Sequence, residues 1–335
     1  MKRIAIIGGG VNGFACGVQL AEYFKEKAEI ILISELFSPD TTGDGSAGLW
    51  GPYMTLDTTP EKICKWSKDT HDYLKSIWQS EHAGEAGVCL VSHVTVLKKD
   101  EESSLKNDHF WKDIVYGYRE ITPNEMQKLN ECRKIKYKEG VRFVTFTSEP
   151  KKFLPFMMKR FKELGGRCEQ RKVQNFENFI NQCDYDVVIN CTGLGARELL
   201  NDNLTHPIRG QVIRVKAKWV YEVFSDDSSN GNYIIPNTET VVCGGTHQLD
   251  DYNQNISIED EEFITKGCRE ILPGLLNAPI VKNWVGLRPG RNKIRLEAQK
   301  FGDKLVIHNY GHGGAGVTLC WGCGTEVLDI VKSKL

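Results

Sequence analysis

The chain has no apolar run long enough to span a bilayer as a helix, so it is not expected to be a membrane protein. It has no surplus of either charge. Its 43 Lys and Arg against 44 Asp and Glu leave a net charge of −1, which gives no general attraction for nucleic acid or an anionic membrane. Cysteine is plentiful, but a disulfide framework is not. The eleven cysteines are an odd number without regular spacing, and no secretory leader precedes the first apolar run, so reduced and mostly buried thiols are expected. Cys320 and Cys323 form a close pair with no second pair nearby, which favours packing in a C-terminal helix over a redox or metal site. No metal site is expected. Internal repeats and low-complexity tracts are also missing, which excludes a solenoid.

What is present begins in the first forty residues. A short apolar run, Arg3 to Ile7, is followed by Gly8-Gly-Gly10-Val11-Asn12-Gly13 and then by an amphipathic pattern through Phe14, Val18, Leu20 and Phe24. That order reads as strand, glycine turn, helix. Gly8 permits the turn, Gly10 admits a pyrophosphate close to the backbone, and Gly13 lets helix and strand approach. A second strand, Glu29 to Ile33, ends at Glu35, where an adenine dinucleotide needs a carboxylate for its ribose. An acid there favours an unphosphorylated ribose, as in FAD or NAD. The bland alternative is an ordinary βαβ turn with Glu35 as a solvated charge.

At 335 residues the chain is long enough for two moderate domains. The loop from Phe37 to Tyr53 is glycine-rich and long enough to line a site. Pro60 to Ser80 reads as a helix capped by Thr59. Strands are expected at Val88–Val91, Val94–Leu97 and Val141–Phe146, with a charged, irregular stretch from Lys98 to Glu139. A helix over Lys151–Leu164 leads to a strand from Arg167 to Val173, and Asp186 to Gly195 gives a buried strand and a second glycine turn. A second β-rich block holds Gln211–Val215, Tyr233–Ile235 and Thr240–Gly245, with a polar lid-like loop over Phe224–Asn232. Glu259–Leu272 is a helix. The strand Leu305–His308, a glycine loop to Val317 and a helix over Thr318–Lys332 close the chain, making a second anion cradle.

Gly8-x-Gly10-x-x-Gly13, Thr41-Thr42, Ala47-Gly48-Leu49-Trp50, Asn190-Cys-Thr192-Gly193, Pro207-Ile-Arg-Gly-Gln211, Gly286-Leu-Arg-Pro289 and His308-Asn-Tyr-Gly-His-Gly-Gly314 together resemble the D-amino-acid oxidase and D-aspartate oxidase family of flavoproteins. The resemblance runs nearly end to end. It implies an α/β fold, with a Rossmann-type FAD-binding domain and an interleaved α+β substrate domain on a mixed, largely antiparallel sheet. Residues 1–80, 141–210 and 286–335 are expected in the first, and 81–140 and 211–285, with the lid at 224–232, in the second. The implied reaction converts a D-amino acid to an imino acid by hydride transfer from Cα to flavin N5. Molecular oxygen then yields hydrogen peroxide, and hydrolysis gives a 2-oxo acid and ammonia.

By the same resemblance Arg288 binds the substrate carboxylate with Tyr233, and the Gly314 carbonyl takes the amine. A forked cation suits a carboxylate because a guanidinium fixes both oxygens in a plane. FAD contacts are expected from Gly8, Gly10, Val11, Asn12, Gly13, Glu35, Thr41, Thr42, Gly48, Leu49, Val173, Thr192, Gly193, Gly313, Gly316, Val317 and Thr318. No general base is required, and His312 is read as flavin-adjacent or structural.

The two branches of the family diverge in substrate. Gly48 to Tyr53 and Asn309 to Gly314 look like the neutral branch, whereas Ser229 stands where that branch has a lid tyrosine. His247 and Tyr53 are the candidates for contact with the substrate side chain. A neutral preference is the favoured reading, with D-aspartate and D-glutamate as the alternative. A nicotinamide-dependent dehydrogenase and a silent flavin-binding module stay open as other classes. Ser333-Lys334-Leu335 reads as a peroxisomal address, which implies the import receptor as a partner. A homodimer is the one assembly entertained.

Overall fold

The computed structural model describes residues 1–334 except 56, 103, 104, 106–108 and 132. Leu335, the last residue of the expected peroxisomal tripeptide, lies outside the described residues, while Ser333 and Lys334 are exposed at the end of the last helix.

In chain order the elements are β1 (Lys2–Ile7), α1 (Val11–Phe24), β2 (Ala28–Ser34), α2 (Pro60–Trp78), α3 (Ala83–Ala86), β3 (Val88–Lys98), β4 (Tyr116–Glu120), α4 (Pro123–Glu131), β5 (Tyr137–Ser148) and α5 (Pro150–Glu163). They continue with β6 (Arg167–Gln170), α6 (Phe176–Gln182), β7 (Val187–Asn190), α7 (Ala196–Leu199), β8 (Thr205–Val215), β9 (Glu222–Asp226), β10 (Tyr233–Pro236), β11 (Val241–Gly244) and β12 (Gln248–Leu249). The last are α8 (Ile258–Ile271), β13 (Ile280–Arg291), β14 (Arg295–Phe301), β15 (Lys304–Tyr310) and α9 (Gly316–Lys334).

Two sheets organise these elements. The first runs β14-β15-β7-β1-β2-β6 and is parallel except for the antiparallel pair β14–β15. Its central strands are apolar on both faces because helices cover both. Ile4, Ile6 and Leu32 join the core under α1 and α9, while Ala5, Ile7 and Ile33 pack on the side of Phe176 and Ile180 from α6.

The second sheet runs β12-β8-β11-β10-β9-β3-β5-β4, with β13 also paired to β8. Every pairing in it is antiparallel except β3–β9. The expected mixed, largely antiparallel sheet is therefore present.

Several expected boundaries shift. The cuts at 140/141, 210/211 and 285/286 each fall inside a strand of the second sheet, namely β5, β8 and β13. Those strands take that sheet because their partners, not their own sequence, decide their place. The charged stretch 98–139 contains β4 and α4. The strand expected to reach Val173 ends at Gln170, where its pairing with β2 runs out. Only the latter part of the expected lid is loop. Phe224–Asp226 belong to β9, and the loop is tied down by Asp227 N to Val96 O at 2.9 Å and by Ser229 Oγ to Glu101 Oε1 at 3.0 Å.

Cys320 and Cys323 are fully buried in α9, and burial pushes the Cys320 thiol up to about 12. They are packing residues. Among the described residues no cluster suits a metal ion, and no helix is long and apolar enough to cross a membrane.

Candidate active site

The N-terminal cradle is shaped by three glycines, two of which the packing leaves no room to replace. A Cβ on Gly8, whose φ is +116°, would stand 2.3 Å from Cys191 O at the end of β7. One on Gly13 would stand 1.9 Å from Gly8 O. Gly10 differs: a Cβ there meets no atom within 4 Å and would point into open space at the N-terminus of α1. That glycine clears room for something other than protein.

The second cradle arrives from the opposite end of the chain. Helix α9 packs along α1, and Gly316 at its start stands beside Val11 and Asn12, a Cβ lying 3.6 Å from Asn12 Nδ2. Neither helix carries an acid in its first turn. Two converging helix N-termini without acids are an anion site. The buried Asn12 Oδ1 has no hydrogen-bond partner among the described residues. The convergent N-termini, the empty space at Gly10 and this orphaned oxygen fit a pyrophosphate-bridged cofactor.

The remaining predicted cofactor residues fall into two groups. Thr192 and Gly193 form the turn after β7, beside the first cradle, and Gly193 packs against Pro289. Gly313 N donates to Pro289 O at 2.9 Å, and Thr318 Oγ1 to Gly51 O at 3.1 Å, which joins the second cradle to the loop before α2. Gly48 lies against Ser148 and Leu49 bridges to Thr147, so this part of the loop is stitched to β5. Val317 follows Gly316 in the first turn of α9.

Others are occupied by protein contacts. Thr41 donates its hydroxyl to the buried Asp44 at 2.6 Å, capping a short helix that begins at Thr42. Glu35 is exposed at the end of β2 and pairs with Lys172 Nζ at 3.0 Å. Val173 lies three residues past the end of β6, half-buried.

The substrate end is built on the second sheet. In-register pairing sets Tyr233 beside Gly244, Gly244 beside Val212, and Val212 beside Trp284, so the four share one face across β10, β11, β8 and β13. Trp284, Gly286 and Arg288 alternate along β13 and share that face too. Glycines make space for the large side chains. A Cβ on Gly244 would stand 2.2 Å from the Tyr233 ring, and one on Gly210 2.3 Å from Arg288 Nη1.

Arg288 makes no ion pair among the described residues. Its Nη1 donates to Thr246 O at 3.1 Å and to Arg209 O at 3.5 Å, and its guanidinium also reaches the Tyr233 phenol. Burial pushes the Tyr233 phenol up, against the pull of Arg288, so it stays protonated at neutral pH.

Tyr53, 46 % exposed, lies against Gly314, a Cβ on which would meet its ring at 2.4 Å. Arg288 and Asp227 act on its hydroxyl with opposite signs. Thus Tyr233, Arg288, Tyr53 and Gly314 come together, next to the start of α9. His247 does not join them. It is exposed on the turn after β11, with no hydrogen bond or ion pair among the described residues, although the carbonyl of its neighbour Thr246 holds Arg288. His312 is buried and neutral, its pKa lowered to about 4 by burial, and its Nε2 has no hydrogen-bond partner among the described residues.

Sequence reasoning missed Arg209, Thr246 and the glycines at 210, 244 and 286, whose roles depend on which strand lies alongside. Arg209 is fully buried and bonded to Asp260 at 2.5 Å, which fixes the carbonyl that receives Arg288.

A family model described as FAD dependent oxidoreductase, DAO, matches residues 3–330. The chain is 35 % identical over 334 residues to a D-aspartate oxidase of Homo sapiens, covering 98 % of this chain and 94 % of that protein. It is 36 % identical over 341 residues to a D-amino acid oxidase of Dugesia ryukyuensis, covering 99 % and 98 %. Among solved structures it superposes on a glycine oxidase from Bacillus cereus with a TM-score of 0.81 at 18 % identity, covering 100 % of this chain and 96 % of that one, a likeness of fold.

Proposed function

The chain belongs to the DAO family of FAD-dependent oxidoreductases, and from this premise we propose that it oxidises D-amino acids to 2-oxo acids, releasing ammonia and hydrogen peroxide. The observation that carries the reading is the Arg288–Tyr233 pair, a carboxylate-binding fork on which no carboxylate of the described residues sits, set beside Gly314 and the second cradle.

Bound FAD supplies the two-electron acceptor and its reoxidation by oxygen. The cradle residues Gly10, Val11, Asn12, Gly316 and Val317 would hold it, with Thr192 and Gly193 beside them. The rest is work for the chain. Arg288 holds the substrate carboxylate in a plane, and the protonated Tyr233 donates to it. The Gly314 carbonyl accepts from the amine, and Tyr53 covers the open side. His312, with its pKa lowered to about 4 by burial, is a poor base, and Tyr233 stays protonated, so neither is assigned removal of a proton from Cα. Orientation and the field of Arg288 carry the protein's share of catalysis.

The proposal includes a preference for neutral side chains. Of the charged groups acting on Tyr53 one is Arg288, already committed to the α-carboxylate, and the other is the Asp227 carboxylate. A second substrate carboxylate near Tyr53 meets a negative field, and an unpaired buried carboxylate costs several kcal/mol. Purified enzyme should therefore produce peroxide faster from D-alanine and D-methionine than from D-aspartate and D-glutamate, and not from the L-forms. Activity confined to the acidic pair and abolished by His247→Leu would reverse the preference.

A further inference from the structure

The two sheets meet where the chain passes from β13 to β14. Arg291 closes β13, paired with Thr205 of β8 in the second sheet, and Arg295 opens β14, paired with Tyr310 of β15 in the first. One side chain bridges these strand ends. Asp202, on the loop between α7 and β8, takes Arg291 Nε at 3.0 Å and the Tyr310 hydroxyl at 2.7 Å on the same oxygen, Oδ2. Its Oδ1 accepts from Leu204 N at 3.1 Å, and Arg295 Nη1 donates to the Tyr310 hydroxyl at 2.8 Å from behind. Tyr310 is fully buried, and the Asp202 side chain is 8 % exposed. Burial pushes the Asp202 carboxyl up, but the bonds from Tyr310 and Arg291 outweigh it and hold the group below its usual range, so it is ionised at neutral pH. Burial likewise pushes the Tyr310 phenol up to about 12, which keeps the proton on the bridge.

What the two strand ends carry gives the bridge a role. Arg288 lies three residues before Arg291 on β13, and Gly311 to Gly314 follow Tyr310 directly. The backbones are close there: a Cβ on Gly311, whose φ is +85°, would stand 2.8 Å from Arg291 Cβ. The main-chain bond from Gly313 to Pro289 is the tie nearer the site, and Asp202 is the charged one behind it. The fork therefore belongs to the second sheet, and the Gly314 carbonyl belongs to a loop of the first. A substrate held at its carboxylate by one and at its amine by the other spans both sheets. Its alignment then depends on how the sheets are registered, and charge-assisted hydrogen bonds set such a register better than neutral ones.

We propose that Asp202 is a positioning residue for the oxidation. Its carboxylate fixes the spacing between Arg288 and the Gly314 carbonyl, without touching the substrate, and so sets where the substrate Cα is presented. This role rests on the oxidase reading given above.

The test is anaerobic stopped-flow of the FAD-loaded protein with D-alanine, together with the affinity for pyruvate, the 2-oxo acid formed from it, read from its effect on the flavin spectrum. Pyruvate keeps the carboxylate that Arg288 takes but has no amine for Gly314. Asp202→Asn and Tyr310→Phe should each lower the limiting rate of flavin bleaching by about tenfold or more, while FAD content and pyruvate affinity stay near wild type. The double variant should be no slower than the slower single one, since both act through one oxygen. Tyr310→Phe leaves the Arg291–Asp202 ion pair in place and stays informative if Asp202→Asn does not fold. A wild-type bleaching rate in either folded variant, or a rate that falls only in step with pyruvate affinity and FAD content, would overturn the role of Asp202 alone. A wild type that no D-amino acid bleaches would overturn the oxidase reading itself, and this role with it.

Discussion

Arg288 is held by main-chain carbonyls, and such acceptors fix a guanidinium without neutralising it. With Nη1 bound to Thr246 O and Arg209 O, the side chain is positioned and its charge remains available to a ligand. Removing one partner of a desolvated, hydrogen-bonded charge pair costs about 2–5 kcal/mol. Arg288→Leu should therefore lower kcat/KM for D-alanine by roughly 30- to 4000-fold at unchanged FAD content. Tyr233→Phe loses one hydrogen bond to a charged group, about 1.5–3 kcal/mol, or roughly 10- to 100-fold. Steady-state kinetics with cofactor absorbance checks both, and an Arg288→Leu enzyme of near-normal kcat/KM would remove the carboxylate fork from the account. That Arg288 and Tyr233 belong together was legible in the sequence because each sits in a recognisable segment, and the two do meet. The exposure of His247 was not legible, since a residue on a turn past the end of β11 has no pleat to set its direction.

At the scale of elements, the first strand–turn–helix is legible because its rules are local. Apolar strand, glycines at fixed spacing and a helical period lie within two dozen residues. Strands β13 and β14 were invisible for the opposite reason. The sequence Ile280–Arg291 mixes Lys, Asn, Pro, Gly and Arg with few β-formers, and it becomes a strand by pairing with β8 from Ile280↔Val215 to Arg291↔Thr205. The glycines that make space for Arg288 and Tyr233 belong to neighbouring strands, so no single segment reveals them. The cradle gives a sharper contrast. Gly10→Ala adds a methyl group to open space at an ordinary φ of −84°, so cofactor-free stability should change by less than about 1 kcal/mol while FAD affinity falls. Gly13→Ala drives a methyl into Gly8 O and should destabilise the fold itself by about 1–3 kcal/mol or more. Thermal melts of the cofactor-free proteins with FAD titrations separate the two. Wild-type affinity in Gly10→Ala would contradict the placement of the pyrophosphate.

For the whole molecule, four buried histidines bear on acid stability. Burial lowers the pKa of His71, His308 and His312 to about 4 and of His93 to about 3, each below the ordinary 6.5. Above pH 6.5 they are neutral both folded and unfolded, and they add no pH dependence. Below it the unfolded chain takes up protons that the folded chain refuses, so stability falls as pH drops from 6.5 towards 4. Each contributes up to about 1.4 kcal/mol per pH unit, so together they give on the order of 5 kcal/mol per unit near pH 5. Denaturant midpoints should drop steeply between pH 6.5 and 5, and a flat profile there would contradict the burial of these rings. The same scale joins the two cradles. Gly10 and Gly316 are some three hundred residues apart in sequence, and the packing of α9 along α1 makes them one site. The central claim, that this joined site and the Arg288 fork form one D-amino-acid-oxidising centre, is tested most directly by an anaerobic absorbance spectrum of the purified protein. The account predicts a yellow protein that D-alanine bleaches and L-alanine does not, with colour returning and peroxide appearing on admission of oxygen. A colourless protein loaded with no flavin, or a yellow one that no D-amino acid bleaches, would contradict it.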